Sequence, residues 1–181
     1  MGNEYSYATY DMYDRISNNC IEYLINNNED IWKLLKYQDE PLFQPNLTLA
    51  EKQALIYCGQ PDTTQYRVFL DRGQDDSFTE TQCILKVSPH SLKPANYTNG
   101  RVSVLFEVYC HYKINHIATS EYYTTRIDSV IKNLIKTLNG ADIVGLGRIF
   151  LNAKASYDNG VISYGASPWK GSWLIMSNNM A

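Results

Sequence analysis

The chain has 181 residues, 44% of them hydrophobic, 13% aromatic and 19% charged, so it can bury about 70% of its surface around one core, with neither a second full-sized core nor extended disorder expected. Sixteen Lys and Arg against 19 Asp and Glu leave a net charge of −3, which argues against a basic nucleic-acid surface over the whole domain. No apolar run approaches the roughly 18–20 residues of a membrane span, and no membrane partner is expected.

The first ten residues are polar and aromatic and do not read as a secretory signal. Met1-Gly2 through Ser6 fits the loose myristoylation pattern, but no basic cluster follows to supply a second membrane signal. From residue 11 to 25, Tyr13, Ile16, Cys20, Ile21, Leu24 and Ile25 recur at three- and four-residue steps, one stripe of a helix. Asn26-Asn27-Asn28 interrupts the stripe and offers a cap for a second short helix carrying Ile31, Trp32, Leu34 and Leu35. Glu29 and Asp30 suit its dipole. Pro41 and Pro45 mark a loop. Thr48-Leu49-Ala50-Glu51 is a capping box opening a helix to about Tyr57, stopped by Gly59 and Pro61.

The period then changes. Residues 66–70 predict a short strand, followed by a polar loop over 71–76. Residues 79–87 alternate, with Thr81, Cys83, Leu85 and Val87 on one face. The strongest strand is 101–114, with Val102, Val104, Phe106, Val108, Cys110 and Tyr112 on one side and Ser103, Glu107, His111 and Lys113 on the other. Tyr97-Thr98-Asn99-Gly100 before it predicts a turn. Ser120 is the expected cap of the clearest helix, whose stripe is Tyr123, Ile127, Val130, Ile131, Leu134, Ile135 and Leu138, stopped at Asn139-Gly140. Arg126, Asp128, Lys132 and Lys136 are expected on its solvated side. A run over 143–151 broken by Gly145 and Gly147, a polar segment over 152–160 and a strand over 172–176 complete the chain. The fold class is α+β: N-terminal helices (1–60), then a mostly antiparallel sheet with a long amphipathic helix on one face (61–181), all in a single domain 1–181.

Catalytic motifs are thin. Cys110, His111 and His116 are near in sequence, yet strand alternation sends Cys110 and His111 to opposite faces, making one a core thiol and the other a surface histidine. The four cysteines (Cys20, Cys58, Cys83, Cys110) form no C-x-x-C pair and are expected reduced and largely buried. The histidines lack a paired metal spacing. Gly145-Leu146-Gly147 has Phe150 at the third glycine position of a dinucleotide loop and follows a helix, so it reads as a bulge or close-packing device. Asp71, Asp75 and Asp76 miss the calcium-loop spacing. Two Asn-x-Thr sequons, at Asn46 and Asn96, carry no weight without a secretion signal. No metal, cofactor or catalytic residue is assigned.

The surplus is aromatic: fifteen tyrosines, a cluster of them near the start, the pair Tyr122-Tyr123, and Trp169 and Trp173 beside a Gly-rich turn. Such side chains suit interfaces, joining a large rigid apolar face to one polar handle. Candidate contact residues are Tyr5, Tyr7 and Tyr10 of the N-terminus, Arg72, Asp75 and Phe78 of the loop 71–78, and Tyr164, Trp169 and Trp173 of the tail 163–178.

This order of helices, hairpin, strand 101–114, helix 120–138 and the run Gly145-Leu146-Gly147-Arg148-Ile149-Phe150 resembles bacteriophage neck proteins, the head–tail connector, tail-terminator and tail-completion group. The stretch from Asn27 through Tyr37, with Pro41-Leu42 and Asn46 through Lys52, is similar to the N-terminal part of such proteins. The resemblance implies a tail-terminator-like structural subunit of the virion, assembled in the host cytoplasm. It implies a homo-oligomeric ring that meets other neck, tail and portal-adjacent proteins, with DNA passing through non-specifically. A net charge of −3 is compatible with such a lumen. Two other classes stay open: a monomeric protein-binding module with an aromatic-rich surface, and a small hydrolase.

Overall fold

The computed structural model describes residues 8–60, 62–70, 80–151 and 168–178. A two-residue strand β1 (Ala8–Thr9) leads through a 3-10 turn (Tyr10–Arg15) into α1 (Ile16–Asn27). The predicted apolar stripe is the buried face of α1, and the helix runs on into the asparagines. Helix α2 (Asp30–Lys36) follows, and Asn28 begins it as the asparagine run predicts: its Oδ1 accepts from the Ile31 N–H at 2.9 Å. Helix α3 (Leu49–Ala54) has the predicted capping box, with Thr48 Oγ1 accepting from the Glu51 N–H at 3.3 Å and Glu51 Oε2 accepting from the Thr48 N–H at 2.9 Å. It ends three residues earlier than predicted, because Tyr57 N–H pairs with the Val68 carbonyl instead and Ile56 bridges to Val68.

The sheet is built from β2 (Val68–Phe69), β3 (Cys83–Pro94), β4 (Asn99–His111), β9 (Phe150–Leu151) and β10 (Trp169–Ser177), in the order β2-β3-β4-β10-β9, with β1 also on β4. Among the described residues, the pairings of this sheet are antiparallel except β2 with β3. The α+β architecture follows as expected. The long helix is α4 (Arg126–Leu138), which lies on one face of the sheet with α1 and α2. Val104, Phe106, Val108, Leu85, Val87, Leu174 and Met176 of the sheet meet Ile16, Leu24, Trp32, Val130 and Leu134 of the helices in one core. Burying so many large aliphatic side chains, at about 1.5–3 kcal/mol each, is what holds the helices down.

Four local expectations are corrected. First, the hairpin between β3 and β4 turns at residues 95–98, where Asn96 Oδ1 accepts from the N–H groups of Thr98 and Asn99 at 2.9 and 2.8 Å. Gly100 already lies in β4, and its value is space: a Cβ there would sit 2.8 Å from Leu92 Cδ1 and 2.9 Å from Tyr10 Cε1. Second, α4 is capped by Thr125, not Ser120; Thr125 Oγ1 accepts from Asp128 N–H at 3.1 Å. A small hairpin, β5 (His116–Ala118) with β6 (Tyr123–Thr125), occupies the preceding residues, so Tyr123 leaves the helical stripe and is 90% exposed. Third, Arg126 is fully buried. It occupies the first turn of α4, where its guanidinium satisfies carbonyls that no helix donor can reach. Fourth, Cys58 is exposed while Cys20, Cys83 and Cys110 are buried.

The glycine-punctuated run forms a second small hairpin, β7 (Asp142–Ile143) with β8 (Gly147–Arg148). Gly145 at its tip has φ +77°, and a Cβ there would lie 2.7 Å from Met12 Cβ. The N-terminal segment is thus fastened at two glycines, Gly100 and Gly145. Among the described residues, no helix is long and apolar enough to cross a membrane.

Candidate interaction surface

Strand β4 organises the surface. Its first residue follows directly on the 95–98 turn and its last directly precedes Tyr112, so the two ends lie about 40 Å apart at 3.4 Å per residue. Large apolar side chains stand exposed at each end. Beside the β4 start are Tyr97, fully exposed at the turn, and Leu92 on the adjoining strand. Leu151 belongs to the same end, because β9 pairs with the last residues of β10. So does Val144, 73% exposed at the β7–β8 tip. Asn178 draws this end together: its Oδ1 accepts from Val102 N–H at 2.9 Å, while Nδ2 donates to Leu146 O at 3.1 Å.

At the other end Tyr112 is exposed, followed by Tyr122 and Tyr123 on the β5–β6 hairpin. Lys132 Nζ donates to the Tyr122 hydroxyl at 2.9 Å and lies 5.6 Å from the centre of its ring, which raises the lysine pKa and keeps the ammonium charged. Phe43 and Leu49 are further exposed apolar groups, on the helical part of the chain.

The residues predicted as contacts fare unevenly. Tyr10 is half-buried and engaged within the chain, its hydroxyl donating to Asn96 O at 3.3 Å and its ring against Gly100. Trp169 is 3% exposed and belongs to a second cluster with Tyr66, Phe69, Ile84 and Tyr109 on the sheet face away from the helices; it is a core residue, not a contact residue. Trp173 is half-buried, opposite Glu107 across β10 and β4. Tyr5, Tyr7, Arg72, Asp75, Phe78 and Tyr164 lie outside the described residues. The sequence-based candidates do not include Tyr97, Val144 and Tyr123, which the structure leaves exposed. The signal for Tyr97 is present in the sequence: a large apolar residue set within a turn motif has no core to enter.

His111 shares the second sheet face with Trp169 and is buried, not on the surface. Its ring stacks on Tyr112 at 5.0 Å and meets Trp169 edge-on at 5.7 Å, and Nδ1 accepts from Lys113 N–H at 3.3 Å. Burial, aided by the Lys113 charge, pushes its pKa down and favours the neutral ring. Cys110 faces the helices, so strand alternation separates the two as expected. Among the described residues no three His, Cys, Asp or Glu side chains converge as metal ligands.

A polar cleft of about 430 Å³ opens between the α1–α2 junction and α4, lined by Tyr23, Asn27, Asn28, Asp30, Asn133 and Lys136 among others. Asn28 crosses it, donating to Thr137 Oγ1 at 2.7 Å. Glu29 on its wall pairs with the buried Lys52, whose Nζ also donates to Ile25 O at 2.9 Å. These bonds tie α1, α3 and α4 together, a structural clasp.

The sequence matches the YomW family over residues 28–165, from just before α2 to beyond β9. No curated protein matches the chain. The family's name is typical of proteins from Bacillus phage regions. A match over about three quarters of its length makes the chain a member of the YomW family and a phage-associated protein.

Proposed function

We propose that this chain is a structural subunit of the phage neck, which closes into a homo-oligomeric ring between portal-adjacent and tail proteins and lines the DNA path. The observation that carries this reading is the pair of exposed apolar sets at opposite ends of β4: Tyr97, Leu92 and Val144 at one, Tyr112, Tyr122 and Tyr123 at the other. The two sets differ in composition, so they favour contact between unlike patches on successive copies. Such heterologous contacts close into rings when the rotation permits. Apart from Leu92 on β3, these residues sit on turns and short hairpins, which can adjust to a neighbour without disturbing the core. A net charge of −3 suits a lumen that must let DNA slide.

Size-exclusion chromatography with light scattering tests the reading, on the chain alone at high concentration and mixed with candidate neck and portal proteins. A closed oligomer of defined mass in either condition is expected. A strictly monomeric species in both overturns it.

A further inference from the structure

Cys83 and Cys110 are direct partners in the β3–β4 ladder. The adjoining pair is Gln82 and His111, and His111 N–H donates to Gln82 O at 3.0 Å. Ladder pairs alternate, so Cys83 and Cys110 form a pair without main-chain hydrogen bonds between them. Leu85, two residues on, agrees: its N–H turns away from β4 to the Arg67 carbonyl at 2.8 Å. Pairs of that kind bring Cα atoms to about 4.5 Å and their side chains closest together. A disulfide accepts Cα separations of about 4.4–6.8 Å. Both side chains point into the helix-side core, both are fully buried, and both are reduced.

The surroundings set the two thiols apart. The pKa of Cys110 is pushed up, first by its interaction with Cys83 and then by burial, and its thiol donates to the His111 carbonyl at 3.5 Å. Cys83 is held below the ordinary thiol range by the hydrogen bond from Cys110, against the upward push of its own burial, with the guanidinium groups of Arg126 and Arg67 adding to the lowering. Arg126 is buried and donates to four main-chain carbonyls, and among the described residues none of its hydrogen bonds goes to a carboxylate. A thiolate is the better nucleophile, and a neighbouring cation favours it.

We propose that Cys83 and Cys110 are a redox-active pair, convertible to a disulfide that clasps the base of the β3–β4 hairpin, with a peroxide as the oxidant. The sulfur of Cys83 attacks one peroxide oxygen and breaks the O–O bond, giving a Cys83 sulfenic acid and, for hydrogen peroxide, hydroxide. The sulfur of Cys110 then attacks the sulfenic sulfur. An S–S bond forms and the sulfenic oxygen leaves, taking up the Cys110 proton, so that two thiols and one hydrogen peroxide give one disulfide and two waters. A peroxide is close to water in size and can reach the pair through local opening of the core. The inference stands independently of ring formation, because the pair lies within one chain.

The experiment uses the full chain carrying Cys58→Ser, which removes the exposed thiol. The folded protein is treated with a modest excess of hydrogen peroxide, then alkylated in denaturant and analysed by intact mass and peptide mapping. Expected is a loss of two hydrogens, a Cys83–Cys110 cross-linked peptide, reversal by a dithiol reductant, and a thermal midpoint raised by about 5–10 °C. In the Cys58→Ser/Cys110→Ser variant, dimedone should label Cys83. Complete alkylation of all three remaining cysteines, a link to Cys20, or sulfinic acid at Cys83 without a link would each overturn the proposal. These readouts come from the Cys58→Ser chain itself, so poor folding of the double variant does not blunt them.

Discussion

The Arg126 guanidinium binds the end of α2: Nη1 donates to the Leu34 carbonyl at 2.6 Å and to the Tyr37 carbonyl at 2.5 Å, while Nη2 donates to Gln38 O at 2.6 Å. Nε reaches Ile114 O at 3.0 Å. One planar group thus satisfies a carbonyl in the last turn of α2, the two of Tyr37 and Gln38 just past its end and that of Ile114, with its charge at the negative end of the α2 dipole. Removing it leaves several buried acceptors without donors, each costing about 1–3 kcal/mol. Arg126→Met should therefore lower unfolding free energy by at least about 3 kcal/mol in urea titration. Arg126→Lys should not restore it, since a single ammonium cannot span the fork.

Asn178 plays the same part at the other end. Beyond its bonds to Val102 and Leu146, Nδ2 lies 3.4 Å from Gly100 O and its N–H donates to Val102 O at 3.2 Å. Asn178→Ala keeps the main-chain bond but strands the Val102 N–H and the Leu146 carbonyl. A loss of about 2 kcal/mol is expected. Amide hydrogen exchange should localise it, with faster exchange at Val102 and around the β7–β8 hairpin and little change in α2.

Arg126 and Asn178 also show where sequence is legible and where it is not. The stripe of α4, the alternation of β4 and the Thr48–Glu51 capping box are local patterns, each repeated or spaced within one turn or strand, and the structure reproduces them except at Tyr123 and Tyr112, which fall outside their elements and are exposed. Arg126 sits on the helix where a periodic pattern places solvated residues; only the carbonyls of α2, some 90 positions away in sequence, take it inside. Likewise Asn99-Gly100 has the composition of a tight turn, yet Asn96 outcompetes it with two side-chain acceptor bonds and Gly100 is needed for Tyr10 and Leu92. Tyr97 and Val144 were readable as exposed once their turns were fixed, but not as members of one end of the molecule, which depends on the β4–β10 and β9–β10 registers. Trp169 was misplaced because composition cannot say which face of a sheet is covered.

Glu51 links the capping box to acid stability. The ammonium of Lys36 at 2.5 Å, then the Thr48 N–H and hydroxyl, hold its pKa down to about 2. A carboxylate whose folded pKa lies below its unfolded value stabilises the fold above the unfolded value and loses that contribution as pH falls through the folded one. Glu51→Gln should therefore melt earlier than the parent chain at neutral pH. The gap should hold down to about pH 5 and close as pH approaches 2. A gap independent of pH would assign the effect of the substitution to shape and not to charge. Calorimetry across that range reads the difference directly.

The ring reading makes a sharper prediction when the two ends of β4 are altered separately. Tyr97 and Tyr123 are at least 90% exposed, so replacing either by Ser should shift the monomer's unfolding free energy by no more than about 0.5 kcal/mol. Each variant alone should fail to form the closed oligomer, because every subunit lacks one half of the contact. A mixture is more informative. If the Tyr97 end of one copy meets the Tyr123 end of the next, a Tyr97→Ser chain still offers an intact Tyr123 end, and a Tyr123→Ser chain an intact Tyr97 end. One complete contact can then form between the two variants, but no second contact can extend it. Native mass spectrometry of the equimolar mixture should show heterodimers without rings. If like ends meet like ends, each variant forms its own homodimer through its unaltered end, and the mixture adds nothing; that result would exclude the heterologous contact on which a closed ring depends.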